Sequence, residues 1–303
     1  MDRQVSQRQD PVDSSRIRQI TRALILSVCT ASFLAVIKFL AGFLTHSMSV
    51  MASALDSLMD VGVSTVNLIA AKEAAKPPDE DHAYGHGKIE SLAGLFQSTF
   101  IGLSGLYVLV ESIKRLIVGS FVREIPAGIG VMIFSIVVSG LLVSRIQSVA
   151  RKNRSLILTT EKLHFTTDIL TNGGVILALI LVKWTQFIIW DLLVSIAVAL
   201  YIFRTSFRIL RHSIDELLDR SLPPVSKEEI ESIIKNYHPS IVGLHNFRSR
   251  RVGEKIFLDF HIEIRGEENF KRAHDMTEAL IEQIQKHYPG SDITVHFDPE
   301  GAQ

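Results

Sequence analysis

Residues 47–71 read SMSVMASALDSLMDVGVSTVNLIAA. The run is apolar or small almost throughout and long enough to cross a bilayer as a helix, which takes about 20 residues. Two acids interrupt it, Asp56 and Asp60, and their spacing of four puts both carboxylates on one helical face. A charge near the bilayer centre costs about 2.5–3.5 kcal/mol on insertion scales. Something must offset that cost, and a cation held between carboxylates does so directly.

A matching pair stands further along. A second apolar run contains His164 and Asp168, again four apart, with Asn172 one further turn along the same face. Two such pairs on two helices supply four ligands, the number a tetrahedral Zn2+ takes, and imidazole with carboxylate suits that ion. The competing reading is that the acids are protonated or pair with the intramembrane Lys38. Four polar groups in two matched pairs ask for more than one lysine.

Around these two segments lie four more runs of spanning length, so that the candidate spans are about Ile20–Phe43, Ser47–Ala71, Ile89–Ile113, Ala127–Ile146, Leu158–Val182 and Phe187–Phe207. A hydrophobic content of 47% and a mean hydropathy of +0.25 are high for a soluble protein. An even number of spans puts both ends on one side, and lysine and arginine choose it. One side collects Arg3, Arg8, Arg16, Arg18 and Arg22, then Lys72, Lys76 and Lys88, then Arg145, Arg151, Lys152, Arg154 and Lys162, and finally Arg204, Arg208 and Arg211. The other has Lys114, Arg115, Arg123 and Lys183. Both termini are therefore expected in the cytoplasm, with residues 1–19 a retained tail that shows no small-residue cleavage site. A net charge of +0 gives no reason to expect nucleic acid as a partner. The single cysteine, Cys29, excludes a disulfide framework or a thiolate zinc site within one chain. Any metal must be held by His, Asp and Glu. The glycines Gly102, Gly105, Gly173 and Gly174 read as places where helices approach closely.

After about Arg211 the character changes. Residues 20–211 form the expected six-helix transmembrane domain and 212–303 a cytoplasmic domain. Pro223 and Pro224 punctuate a linker, and Ser226 with Glu229 reads as a capping box opening a helix to about Tyr237. Two alternating stretches, about Val242–Arg251 and Lys255–Arg265, read as a hairpin; a helix over about Asn269–Tyr288 and a strand over Asp292–Phe297 follow. The expected order is α-β-β-α-β in roughly 80 residues, a size often steadied by a partner or a metal. His245, His261, His274, His296 and Asp298 fall on different elements of it, so they meet only through the fold or across a dimer; surface histidines that bind nothing are the competing reading. The loop Asp79-Glu80-Asp81-His82-Ala83-Tyr84-Gly85-His86-Gly87-Lys88 gathers histidines and acids around glycines and is either a second metal site or a solvated polar loop.

Taken together, Asp56-x-x-x-Asp60, His164-x-x-x-Asp168, the run Asp79 to Lys88 and the trailing α-β-β-α-β domain resemble the cation diffusion facilitator family, and the chain is similar to its bacterial zinc and iron efflux members over nearly its whole length. The resemblance implies a proton-coupled antiporter of the bacterial inner membrane, working as a homodimer, with a transport site at Asp56, Asp60, His164 and Asp168. It further implies a loop site at Asp79, His82 and His86, and a metallochaperone-like cytoplasmic domain whose binuclear site matches His245, His261, His296 and Asp298, with His274 beside them. Lys88 paired with Asp219 would lock the protomers. The ligand set resembles the zinc and cadmium type, with Fe2+ also suited to imidazole. Zn2+ would be both transported and regulatory.

These readings point to alternating access, in which metal and protons compete for one site. His164 is the natural proton carrier, since only imidazole has an unperturbed side-chain pKa near neutrality among the four ligands. An intramembrane metalloprotease would also bury His and Asp, but it needs a catalytic Glu and usually H-E-x-x-H, which this chain lacks. A metal-binding sensor or scaffold that transports nothing is the other rival, distinguished by ion flux.

Overall fold

The computed structural model describes residues 11–45, 48–118, 126–187, 189–253, 255–265 and 269–301. Arg3, Arg8 and Arg123, which entered the charge asymmetry, lie outside these residues. The chain falls into two compact units, residues 1–213 and 214–303.

The first unit is helical: α1 (Pro11–Thr45), α2 (Met48–Ala74), α3 (Lys88–Val118), α4 (Pro126–Asn153), α5 (Leu156–Thr185) and α6 (Ile189–Leu217). All six are long and apolar enough to cross a membrane. Each runs past the C-terminal end of the apolar span read from the sequence, because a helix continues through the interface until a breaker or an unsatisfied end stops it. The α4–α5 corner shows how. Arg154 takes a left-handed φ of 46°, and Ser155 then accepts a hydrogen bond from Leu158 N–H at 3.3 Å as N-cap of α5. The buried Glu90 of α3 completes the cap, its carboxylate accepting from Ser155 Oγ at 2.7 Å and from Ile157 N–H at 3.2 Å. A carboxylate at a helix N-terminus also complements the macrodipole. The far end of α5 closes at Gln186, whose N–H donates to Val182 O at 2.8 Å from a left-handed φ of 60°.

Helix α5 is central. Its residues Ile157, Leu158 and Phe165 pack with Ile20, Leu24 and Ala31 of α1 and Leu142, Ile146 and Ala150 of α4. On its other side Leu156 and Leu163 join Ile101 of α3 and Ile202 and Ile209 of α6. Lipid tails are as apolar as leucine, so close packing and interhelical hydrogen bonds must hold such helices together. Two of the four expected glycine contacts meet α6 from α3: a Cβ at Gly105 would come within 2.9 Å of Ile202, and one at Gly102 within 3.2 Å of Ser206. Gly174 is similarly close to Val198, at 3.2 Å, whereas a Cβ at Gly173 would meet nothing nearer than 4.0 Å. That position has room for a side chain.

The second unit carries α7 (Pro224–Lys235), β1 (Ile241–Val252), β2 (Lys255–Ile264), α8 (Phe270–His287) and β3 (Asp292–Pro299). The sheet order is β1-β2-β3, antiparallel across the hairpin and parallel between β2 and β3, with α8 as the crossover. Period-two alternation sends Ile256, Leu258, Phe260, Ile262 and Ile264 into a core with Ile230 and Ile234 of α7 and Leu280 and Ile284 of α8. The odd residues of β2, His261 and Glu263 among them, face the other way.

The capping box does not form. Helix α7 starts at Pro224 with Pro223 at the N-cap and no side-chain cap, so Ser226 lies inside the first turn. Proline at the first helical position has no N–H to satisfy and a φ already suited to the helix, which makes the cap unnecessary. Glu229 instead accepts a hydrogen bond from the Tyr288 hydroxyl at 2.8 Å, tying α7 to the end of α8.

Candidate metal centres

Three groups of ligand atoms converge among the described residues: Asp60 with His164 and Asp168, Asp79 with His82 and His86, and His245 with His261 and Asp298, each group within 4.8 Å.

The first lies between α2 and α5. His164 Nε2 stands 3.1 Å from Asp60 Oδ1. That nitrogen is buried and lacks an aligned hydrogen-bond partner, and carboxylate oxygens of Asp60 and Asp168 lie within ligand range of the same imidazole. The donor set fits a divalent cation. Asp56, one turn away on α2, is exposed and stands outside this convergence, so the residues that meet here are three of the four expected. Lys38 of α1 is buried within electrostatic range of Asp60, Asp168 and Asp56, but its ammonium donates to Ser57 Oγ at 2.7 Å. The serine between the two aspartates was not singled out in the sequence; a hydroxyl in an apolar helix carries no signal until its neighbour is known.

In the loop, Asp79 Oδ1 accepts from the His82 N–H at 2.7 Å and lies 3.1 Å from His82 Nδ1, while Oδ2 lies 3.3 Å from His86 Nε2. The two rings are 4.5 Å apart between centroids. Gly85, with φ +82°, makes the left-handed turn that returns His86 to Asp79. The backbone N–H of His82, and then the two imidazoles, hold the Asp79 carboxyl below its ordinary range. His86 Nδ1 is buried without a partner.

The third group is built by register. His245 of β1 pairs with His261 of β2, and His261 with His296 of β3, so three imidazoles stand abreast on the sheet face away from the helices. Asp298, two residues beyond His296 and hence on the same face, reaches all of them: its Oδ2 lies 3.1 Å from His245 Nε2 and 3.0 Å from His261 Nδ1, and its Oδ1 lies 3.0 Å from His296 Nε2. The hydrogen bond from His261, then the nearby His296, keeps its carboxyl below the usual range. His245 Nδ1 is buried, lacks an aligned partner, and lies 3.5 Å from Glu263 Oε1. Glu263 is thus a further candidate ligand that sequence reading missed, though its place two residues after His261 on one strand was the signal. Gly243 makes room for it, since a Cβ there would come within 2.8 Å of the Glu263 carboxyl carbon. His274 is exposed on α8, outside the group. Asp219, with a left-handed φ of 55°, pairs with Arg250 of β1 at 3.2 Å, and Lys88 opens α3.

Comparison with known proteins identifies the family of the chain. Residues 24–218 match the family described as the cation efflux transmembrane domain, and residues 222–300 the cytoplasmic domain of cation efflux proteins. The cation-efflux pump FieF of Salmonella paratyphi A is 34% identical over 282 residues, 93% of each chain. The pump of the same name from Escherichia fergusonii is 35% identical over the same share. Among solved structures, the metal-bound C-terminal domain of the CzcD transporter from Thermotoga maritima is 27% identical and covers 26% of this chain and 96% of its own, with a TM-score of 0.25. The two domain matches and the full-length relatives show that this chain belongs to the cation efflux family, whose members are membrane transporters of metal cations and not enzymes.

Proposed function

We propose that the chain exports divalent cations from the cytoplasm in exchange for protons, Zn2+ foremost, with Cd2+ and Fe2+ as further substrates. It works as a homodimer in a bacterial inner membrane with both termini in the cytoplasm. The observation that carries the reading is the convergence of Asp60, His164 and Asp168 between two apolar helices, with the buried His164 Nε2 lacking an aligned partner. Asp56 is the fourth ligand, supplied from the next turn of α2. Imidazole with carboxylates favours Zn2+ over harder ions. The same four groups take up protons when the ion leaves, so cation and protons occupy the site in turn.

The loop and cytoplasmic groups hold resident metal, the first through Asp79, His82 and His86, the second through His245, His261, His296 and Asp298. A cation there would cross-link neighbouring elements and favour whichever arrangement of the dimer keeps its ligands together. The efflux pumps named above are relatives of similar length, which supports the export direction. Uptake of Zn2+, Cd2+, Fe2+ and Mn2+ into proteoliposomes containing a pH dye tests the proposal. Zinc entry with a matching outward proton movement is expected; zinc movement without a pH change would remove the antiport.

A further inference from the structure

Between the transport cluster and the α2–α3 and α4–α5 turns, the seam joining α2 to α5 is polar. Going from Asp60 toward Ala74, α2 presents Ser64 and Asn67; going from His164 toward Leu156, α5 presents Glu161. Ser64 Oγ donates to Glu161 Oε1 at 2.6 Å, and Asn67 Nδ2 donates to Glu161 Oε2. Asn67 Nδ2 also reaches Gln97 Oε1 of α3 at 2.9 Å. Ser64 and Glu161 are 0% exposed, and Asn67 and Gln97 2%. With Asp60 and His164 this makes successive polar rungs that join the two helices bearing the candidate ligands by direct side-chain contact.

We propose that Glu161 is a positioning residue for transport: with Ser64, Asn67 and Gln97 it closes the site on its cytoplasmic side and must release α2 each time that side opens. This rests on the transport reading above. Alternating access requires the helices carrying the ligands to part on one side while holding on the other. Apolar packing would close the seam, but hydrogen bonds set the two helices in a definite register and are exchanged for water when the seam opens. Each Glu161 oxygen has its own donor on α2, so α5 cannot slide against α2 without losing one. The closed arrangement is also imperfect. Gln97 Nε2 is buried without a partner, a cost that water entering the seam would remove and that keeps closure reversible.

The experiment measures initial Zn2+ flux by the full-length protein in proteoliposomes. The parent is compared with Asp60→Ala, Glu161→Ala, Glu161→Gln and Ser64→Ala. Glu161→Ala is expected to lower maximal flux roughly tenfold or more while the half-saturating Zn2+ concentration stays the same or falls, because closure fails and binding does not. Glu161→Gln keeps an oxygen acceptor for Ser64 and, with the Asn67 amide turned so that its oxygen accepts from the new N–H2, should recover most of the loss. Ser64→Ala, which acts from the opposite helix and retains Glu161, should lower maximal flux in the same sense. Parent kinetics in Glu161→Ala, a raised half-saturation at parent maximal flux, or no recovery in Glu161→Gln would overturn the proposal. Should Glu161→Ala fail to fold, parent kinetics in Ser64→Ala overturn it alone. A parent that moves no zinc, or an Asp60→Ala that moves it normally, would instead sink the transport reading and this inference with it.

Discussion

In the membrane unit, Asp60 comes from one helix and His164 and Asp168 from another; in the cytoplasmic unit, His245, His261 and Asp298 come one apiece from three strands. The two sites answer different physical problems. Within the bilayer, a carboxylate is expensive unless it is neutralised, so the transmembrane ligands are held where an ion changes the energy most. On the open face of a sheet the same side chains cost little, and Asp298 is satisfied by imidazoles already around it. This difference is the ground for proposing a passing ion at the membrane site and a resident one on the sheet.

The sharpest way to break this contrast is Asp60→Ala. Zinc flux should fall at least about 100-fold, since even partners behind a metal ligand are worth 10–100-fold in affinity. The purified variant should remain folded, because a costly intramembrane carboxylate has gone with the ligand. A variant that exports zinc at the parent rate would dismiss the membrane site.

The cytoplasmic site is tested by melting residues 222–303 with zinc and with chelator. A cation at about 100 times its Kd adds roughly 2.7 kcal/mol, which in a domain of this size raises Tm by roughly 10 °C or more. Asp298→Ala should melt alike in both conditions. If the unsubstituted domain also melts alike, the resident metal is not there.

A smaller change is expected from His164→Asp, which replaces the one nitrogen ligand of the membrane site with oxygen. Mn2+ flux relative to Zn2+ and Cd2+ should rise on the order of tenfold. Competitive flux measured at several pH values would detect it, and an unchanged ranking would place selectivity in helix packing instead.

The smallest effect concerns acid. Because its neighbours hold the Asp298 carboxyl below the ordinary range, its contribution to folding is complete above about pH 4, the unperturbed aspartate value, and is lost as pH falls through the lowered folded-state value. In chelator, the gap in Tm between the domain and its Asp298→Asn variant should therefore be constant near neutrality and close below about pH 4. A gap that closes well above that value would assign the linkage to other groups.

Candidate ligands on a helix announce themselves because the turn is local: Asp56 and Asp60, or His164 and Asp168, share a face whatever surrounds them. The six spans and the α-β-β-α-β order were legible for the same reason, each resting on a period of 3.6 or 2 within one segment. What escaped the sequence depends on neighbours. Glu90 caps α5 from 65 residues away, Ser64 meets Glu161 across 97, and nothing in either segment marks the partner. Glu263 differs, since it shares a strand face with His261 while the imidazole it approaches, His245, belongs to the neighbouring strand. At the start of α7 the prolines decide, and the capping-box pattern at Ser226 and Glu229 falls inside the helix they open.

The strand pairing has one more consequence. A strand's side chains alternate strictly, so a slip of β3 by one residue against β2 would turn His296 and Asp298 under α8 and bring Val295 and Phe297 out to the histidines. A correct ladder and a competent metal group are therefore the same event. Bound cation would act as a proofreader of assembly, holding only those copies of the domain whose strands have met in register.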